Sequence, residues 1–228
     1  MILLRYLALL ICLTANAEPI EFVVTAGVGG PADTLSRRIA AELPMDVVIV
    51  NKPGAAHLIG FNYILNSDKP TLFVADSSIV GNPLLGKSKM IYELGMFSNL
   101  VFVSKTSGIN SWADLVRLSK KREINFGNGG IGTHSYRAME EACEQIRCLS
   151  VPFKSGADGM AAMLNGTIDA YALVSYGGET FFQNPNYRMI RRIVPTTGDN
   201  WVMLFSKNLP SSTVSDIVKV VSKTEKIK

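Results

Sequence analysis

The sequence predicts a two-lobed α/β fold, each lobe a parallel-type sheet flanked by helices, with a ligand cleft between them. Three observations carry that expectation. First, the glycine loop Thr25-Ala26-Gly27-Val28-Gly29-Gly30-Pro31-Ala32-Asp33 follows the apolar run Phe22-Val23-Val24. Leu35, Ile39 and Leu43 then recur at one-turn spacing, so the segment reads strand, loop, helix. Second, roughly one hundred residues on, Ile124-Asn125-Phe126 leads into Gly127-Asn128-Gly129-Gly130-Ile131-Gly132-Thr133, followed by Tyr136, Met139, Cys143 and Ile146. Third, each of these units is followed by two further strand patterns, which gives βαβαβ twice and places ligands beyond the carboxyl ends of the strands.

The N-terminus stands apart. Met1 to Arg5 is a short basic start, Tyr6 to Leu13 is apolar but too short to span a bilayer, and Ala15-Asn16-Ala17 is a small-x-small cleavage signal. Residues 1–17 are therefore read as a secretory signal peptide. Cys12 is preceded by Ile11, where a lipoprotein signal would carry a small residue. Removal of this segment takes Arg5 and no acid, leaving 22 basic against 19 acidic residues, or +3. So mild and scattered a charge gives no case for nucleic acid. A mature length of 211 residues accommodates one large domain or two lobes.

In chain order, Ile20 to Thr25 is nearly all apolar, as suits a central strand buried on both faces. A helix from about Ala32 to Leu43 follows, with Pro31 at its first turn and Asp33 near its positive end. Val47 to Val50 is the second strand; a turn through Asn51-Lys52-Pro53-Gly54-Ala55-Ala56 opens a helix with Leu58, Phe61 and Leu65 inward. Thr71 to Ala75 is the third strand, ending in Asp76-Ser77-Ser78. Residues 81–96 read as surface connection, and Phe97 to Ser104 as an apolar strand carrying the chain between lobes. Ser111-Trp112-Ala113-Asp114 is a helix cap. After the second glycine loop come a helix to about Ile146, a strand Leu149 to Phe153, a helix near Ala157 to Leu164 and a strand Ile168 to Val174. No element is placed between Val174 and Trp201; Trp201 to Ser206 is a strand and Ser212 to Val221 a last helix returning to the first lobe. The division is 18–98 plus 200–228 for the first lobe and 99–199 for the second. Val50-Asn51-Lys52-Pro53-Gly54-Ala55 has an echo in Pro152-Phe153-Lys154-Ser155-Gly156-Ala157.

Both glycine loops suit an anion, because glycines let backbone N–H groups approach closely and a helix N-terminus adds unpaired donors. The candidate ligand-binding residues are Ala26, Gly27, Gly29, Gly30 and Asp33 in the first loop, and Asn128, Gly130, Gly132, Thr133, His134 and Ser135 in the second. Ser77 joins them from the end of the third strand. Asp33 reads equally as a ligand group or a helix cap. Thr133 and Ser135 read as direct carboxylate ligands, since four glycines before them exceed what a cap needs. His134 reads either as a charge-assisted donor or as a solvent-facing first-turn residue. Cys143 and Cys148, five apart, are a possible disulfide in an oxidising compartment and lack the second pair a zinc site needs.

The loops also match loose dinucleotide patterns, but the acid expected at the end of the next strand is replaced by Asn51 in one unit and by Phe153 or Lys154 in the other. His57 and His134 are the only histidines, and there is no G-x-S-x-G elbow or metal-binding H-E-x-x-H. The reading is therefore non-enzymatic and without a cofactor.

The ordered set Gly29-Gly30-Pro31-Ala32-Asp33-Thr34-Leu35-Ser36-Arg37, Val48-Ile49-Val50-Asn51-Lys52-Pro53-Gly54-Ala55 and Gly130-Ile131-Gly132-Thr133 resembles the solute-binding proteins of tripartite tricarboxylate transporters, the Bug or TctC-like family. Val151-Pro152-Phe153-Lys154-Ser155-Gly156 and Leu164-Asn165-Gly166-Thr167-Ile168-Asp169-Ala170 resemble its later blocks, so the likeness covers most of residues 20–175. The resemblance implies a periplasmic, monomeric binding protein of the type II two-lobed fold. It would close on a small di- or tricarboxylate, held by the loops after the first strand of each lobe, and deliver it to membrane permease subunits. The same architecture could instead serve a ligand-sensing receptor of a signalling system, or a divergent member with reduced binding.

Overall fold

A nearly all-apolar run has little to offer water, so Ile20–Val24 (β1) is buried at every position, its one acid, Glu21, being bonded to Tyr63 and Lys69, and it lies between two parallel neighbours. The computed structural model describes residues 18–193 and 200–224. The expected signal segment at 1–17 lies outside the described residues. The neighbours of β1 are Val47–Asn51 (β2) and Thr71–Asp76 (β3); with Lys89–Met96 (β4) and the late strand Trp201–Lys207 (β10) they form a sheet of order β2-β1-β3-β10-β4. The second sheet repeats the plan with Asn99–Ser104 (β5), Ile124–Asn128 (β6), Cys148–Pro152 (β7), Ala170–Val174 (β8) and Tyr187–Ile193 (β9), in the order β7-β6-β8-β5-β9.

Each sheet has three parallel strands, and its fourth runs against both neighbours: β10 in the first, β5 in the second. The sheets are thus mixed around a parallel core. The reversed strands are the ones the chain reaches on crossing from one sheet to the other. Outward it passes through Phe97-Ser98 into β5, and it returns at Asn200 into β10. The two crossings are tied together where Phe97 N–H donates to Asn200 O at 2.9 Å.

Helices cover both faces. In the first lobe Pro31–Glu42 (α1) and the C-terminal Ser211–Thr224 (α7) bury Leu35, Ile39, Ile217 and Val221 against Phe22, Leu72 and Leu204. Leu58–Asn66 (α2) packs Phe61 and Ile64 on Phe73 and Phe205 of the opposite face. The expected inward stripe of α2 is rotated: Leu58 and Leu65 are exposed, and Gly60, Phe61 and Ile64 face the sheet. In the second lobe Trp112–Ser119 (α3) and His134–Cys143 (α4) cover one face with Leu115, Ala138, Met139 and Ala142. Gly156–Leu164 (α5) covers the other with Met160 and Met163, and Glu179–Phe182 (α6) is one further turn. Cys143 at the end of α4 is disulfide-bonded to Cys148 at the start of β7, with Cα atoms 5.8 Å apart. No described helix is long and apolar enough to cross a membrane.

Strands β4 and β9 were not expected from the sequence. Both are sheet edges, and their segments KMIYELGM and YRMIRRI leave most side chains partly or fully wet. Such strands carry only a weak apolar alternation.

Helix α2 is held at both ends by backbone-level fits. At its C-terminus the buried Lys207 ammonium donates to the carbonyls of Ile64, Leu65 and Ser67 at 2.6–2.7 Å, satisfying groups that a helix end leaves open. At its start Gly60 lies against the end of β1. A Cβ there would stand 2.8 Å from the Thr25 Cα and Cβ and 2.7 Å from its methyl group. Overpacking of this kind costs about 1–3 kcal/mol, against about 1 kcal/mol gained in helix propensity. Gly60→Ala is therefore expected to lower the urea midpoint; an unchanged or raised midpoint would show that α2 shifts freely over β1.

Candidate ligand-binding site

The carboxyl ends of both parallel triplets face one cavity of about 360 Å³ between the lobes. Its wall is drawn from the ends of β1 and β3, the loop after β2, the loops after β6 and β7, and β8 with its following turn.

In the first glycine loop the polar side chains are spent on the loop itself. Asp33, only 2% exposed, accepts from Gly29 N–H at 2.9 Å, Arg37 Nε at 2.9 Å and Asn51 Nδ2 at 2.8 Å. Asn51 also donates to Ala26 O at 3.2 Å. Burial pushes the Asp33 carboxyl up, but the bonds from Arg37, Gly29 and Asn51 outweigh it and hold the group below the usual carboxylate range. The glycines of this loop meet the other lobe. Gly27 N–H donates to Lys154 O at 3.1 Å, and a Cβ on Gly27 would stand 2.7 Å from Ser155 Cβ. A Cβ on Gly30 would stand 3.2 Å from Gly156 N.

The second loop is pinned in the same manner. Thr133 caps α4, accepting from Tyr136 N–H at 3.1 Å and donating to Gly130 O at 2.8 Å. Ser135 Oγ accepts from Gly129 N–H at 2.9 Å, and Asn128, fully buried, accepts from Gly130 N–H at 2.8 Å. Thr133, His134 and Ser135 nevertheless line the cavity together with Gly129 and Gly130. His134 is not solvent-facing: it is 3% exposed, stands edge-on to Phe97 at 4.9 Å, and its Nε2 lies 3.3 Å from Ser77 Oγ across the lobes.

A third wall comes from the loop after β2. Gly54 is followed by Ala55, Ala56 and His57 at φ values of 47°, 48° and 74°, three consecutive non-glycine residues in the left-handed region. Each costs roughly 1–2 kcal/mol, and strain of this kind persists where surrounding contacts enforce it. His57 supplies one such contact: its Nδ1 lies 3.1 Å from both the carbonyl and the hydroxyl oxygen of Thr25.

No protein-family model matches the sequence. Among curated proteins it matches a UPF0065 protein of Bordetella pertussis, 23% identical over 175 residues. That match takes in 68% of this chain and 54% of the relative, so the chain spans about half of the relative's length. Among solved structures, the periplasmic binding protein BugD superimposes with a TM-score of 0.72, at 19% identity over 89% of this chain and 81% of that one. R. palustris Rpa4515 with adipate superimposes with a TM-score of 0.75, at 18% identity over 89% of this chain and 81% of that one. The chain has the fold of the Bug-type periplasmic binding proteins.

Set in that two-lobed fold, the residues singled out from the sequence divide into three groups. Ala26, Gly130, Thr133, His134 and Ser135 stand on the cavity wall. Gly27, Gly29, Gly30, Asp33, Ser77 and Asn128 lie behind it or at the lobe contact, where they shape the loops. Gly132 sits exposed at the loop tip beside Ile131, which is 77% exposed, and a Cβ added to it meets nothing within 4 Å. Sequence reasoning did not single out Gly54 to His57, Asp76, Pro152 to Gly156, Tyr171 or Tyr176 as wall residues. The internal echo between the two post-strand loops was the available signal for the first and third of these.

Asp33→Ala is expected to lower the unfolding free energy by about 1.5–3 kcal/mol near neutral pH, the range for hydrogen bonds to a charged group. Because the folded carboxyl titrates below the unfolded one, its contribution is complete above the unfolded value of about 3.9. It fades as pH falls through the folded value. The urea midpoints of wild type and variant should therefore converge in acid; a gap that stays constant down to about pH 2 would contradict the assignment.

Proposed function

We propose that this chain is a periplasmic solute-binding protein. It captures a small carboxylate between lobes formed by residues 18–98 with 200–228 and by residues 99–199. The observation that carries the reading is the cavity of about 360 Å³ where the strand ends of both lobes converge, with the N-terminus of α4 and Gly129-Gly130 on its wall. A helix N-terminus favours an anion, and the volume is at the small end for organic ligands. Adipate in one structural neighbour, and the family resemblance of the loops, support a dicarboxylate-sized acid. The ligand is held without a cofactor or bond-making chemistry, and the loaded, closed form is what a tripartite tricarboxylate-type permease would receive. Export through the segment 1–17 would bring the chain to that partner.

The role of the first-loop glycines follows from the lobe contact. They let the backbones of the two lobes meet, and closure then seals the acid from water.

Isothermal titration and thermal-shift measurement against a series of linear dicarboxylates test the reading. A ligand at a hundred times its Kd should stabilise the protein by about 2.7 kcal/mol. The same ligand should reduce the radius of gyration in small-angle scattering. In Gly27→Val, which cannot bring Ser155 into contact, that compaction and most of the affinity should be lost while the unliganded melting temperature stays near wild type. Failure of every carboxylate to bind a folded sample would refute the function. Undiminished compaction in the variant would refute the closure contact alone.

A further inference from the structure

An open sheet ends on strands with a neighbour on one side only, and a chain either blunts such an edge or pairs it. The sheets end on β2 and β4 in the first lobe and on β7 and β9 in the second. Three of these edges are blunted. β4 shifts register twice against β10 and carries Lys89 and Glu93. β9 shifts register once against β5 and carries Arg188, Arg191 and Arg192. β7 ends in Pro152. Because Phe153 N–H donates to Asn128 O, the odd-numbered backbone groups of β7 face β6, and Pro152, which has no N–H, falls on the open side.

β2 has none of these devices. Val47-Val48-Ile49-Val50-Asn51 carries no charge and no proline, pairs with β1 residue for residue, and leaves Val48 48% exposed. Ile20 N–H donates to Asp46 O and Lys52 N–H to Val24 O, so Asp46, Val48, Val50 and Lys52 turn their backbone groups to β1. By the same alternation Val47, Ile49 and Asn51 present theirs at the open edge. Pro44 and Pro53 bound the stretch.

A second copy of this chain fits that edge. Laid antiparallel about a two-fold axis at Ile49, the strands oppose Ile49 to Ile49 and Val47 to Asn51, so the outward groups of both copies meet in about six hydrogen bonds. The closer pairs between them set Val48 against Val50 and, at each end, Asp46 against Lys52 of the other copy. An apolar centre with opposite charges at its two ends is thus complementary to itself, and it is this register that brings the charges together. We propose that β2 is a self-association surface at which two copies of this chain join their first-lobe sheets into one continuous sheet. The proposal is independent of what the cleft binds, and it replaces the monomer that the family resemblance implies. β2 lies at the opposite end of its sheet from β10 and β4, so pairing there does not involve the crossings between the lobes.

Sedimentation velocity and residue-resolved amide hydrogen exchange on the purified protein test it. The paired area is small, so the expected dissociation constant is about 1–100 μM. Between concentrations well below and well above that constant, exchange at Val47, Ile49 and Asn51 should slow by about tenfold, while Val48 and Val50, already bonded to β1, should change far less. Val48→Lys, a change at an exposed position, should weaken association by about tenfold or more. Asp46→Lys and Lys52→Asp should each weaken it too, and mixing those two variants should give a heterodimer about tenfold tighter than either forms alone. A protein that stays monomeric up to about 1 mM overturns the proposal. So does a dimer in which Val47, Ile49 and Asn51 exchange as fast as in the monomer, since it uses another surface, and so does undiminished association of Val48→Lys. Protection of the edge only on adding an extended peptide would assign it to a different chain and overturn the proposal equally. The exchange pattern is read on unaltered protein, so a folding defect in a variant does not remove the test.

Discussion

The structure depends on one constraint: two backbones must touch across the cleft with no side chain between them. Gly27 donates its N–H to Lys154 O, and Gly30 sits beside Gly156 N. A Cβ on Gly177 would run into the Pro31 carbonyl. Each contact pairs the first glycine loop with a loop of the opposite lobe, so the absence of side-chain bulk at these places is what permits the lobes to approach this closely. The same glycines that look like a ligand cradle in sequence are, in space, largely the contact surface between the lobes.

That constraint explains how the polar groups are used. Asp33, Asn51, Asn128, Thr133 and Ser135 each bond to backbone of their own loop or its neighbour. They fix the shape of the loops and leave backbone groups to face the cavity. On the proposed reading, a ligand would meet a wall whose shape was set on folding, which reduces the ordering that binding would otherwise require. The left-handed turn at Ala55, Ala56 and His57 is part of the same arrangement, held in place by the His57–Thr25 bond to the end of β1.

The buried elements were legible because burial on two faces removes ambiguity. β1, β3 and β5 are predominantly apolar runs, and their identity follows from composition. The edge strands β4 and β9 were not legible, since a half-wet strand carrying Lys, Glu or Arg resembles a connection. The face of α2 was misjudged because Leu58, Phe61 and Leu65 and the observed Phe61 and Ile64 are both helical stripes; Gly60 against Thr25 decides between them, and that contact is tertiary. The cavity wall shows the same limit. Loop positions could be named from glycine patterns, whereas Asp76 gains its meaning from His134 and Tyr176, residues 58 and 100 positions away.

The reversed strands supply the last link. β10 and β5 are the strands on which the chain enters each sheet from the other, and each is flanked by antiparallel partners on both sides. A crossing that enters the interior of a sheet is held to that sheet on both sides, so the two lobes are joined through short crossings alone, the points at which a hinge rotation would concentrate. At the outward crossing Ser98 is bonded both ways to Ser175, through Ser98 N–H to Ser175 Oγ at 3.0 Å and Ser175 N–H to Ser98 O at 2.8 Å. Ser175 directly precedes Tyr176, the residue that faces Asp76. The outward crossing and the wall that faces Asp76 are therefore tied together through adjacent residues of the chain.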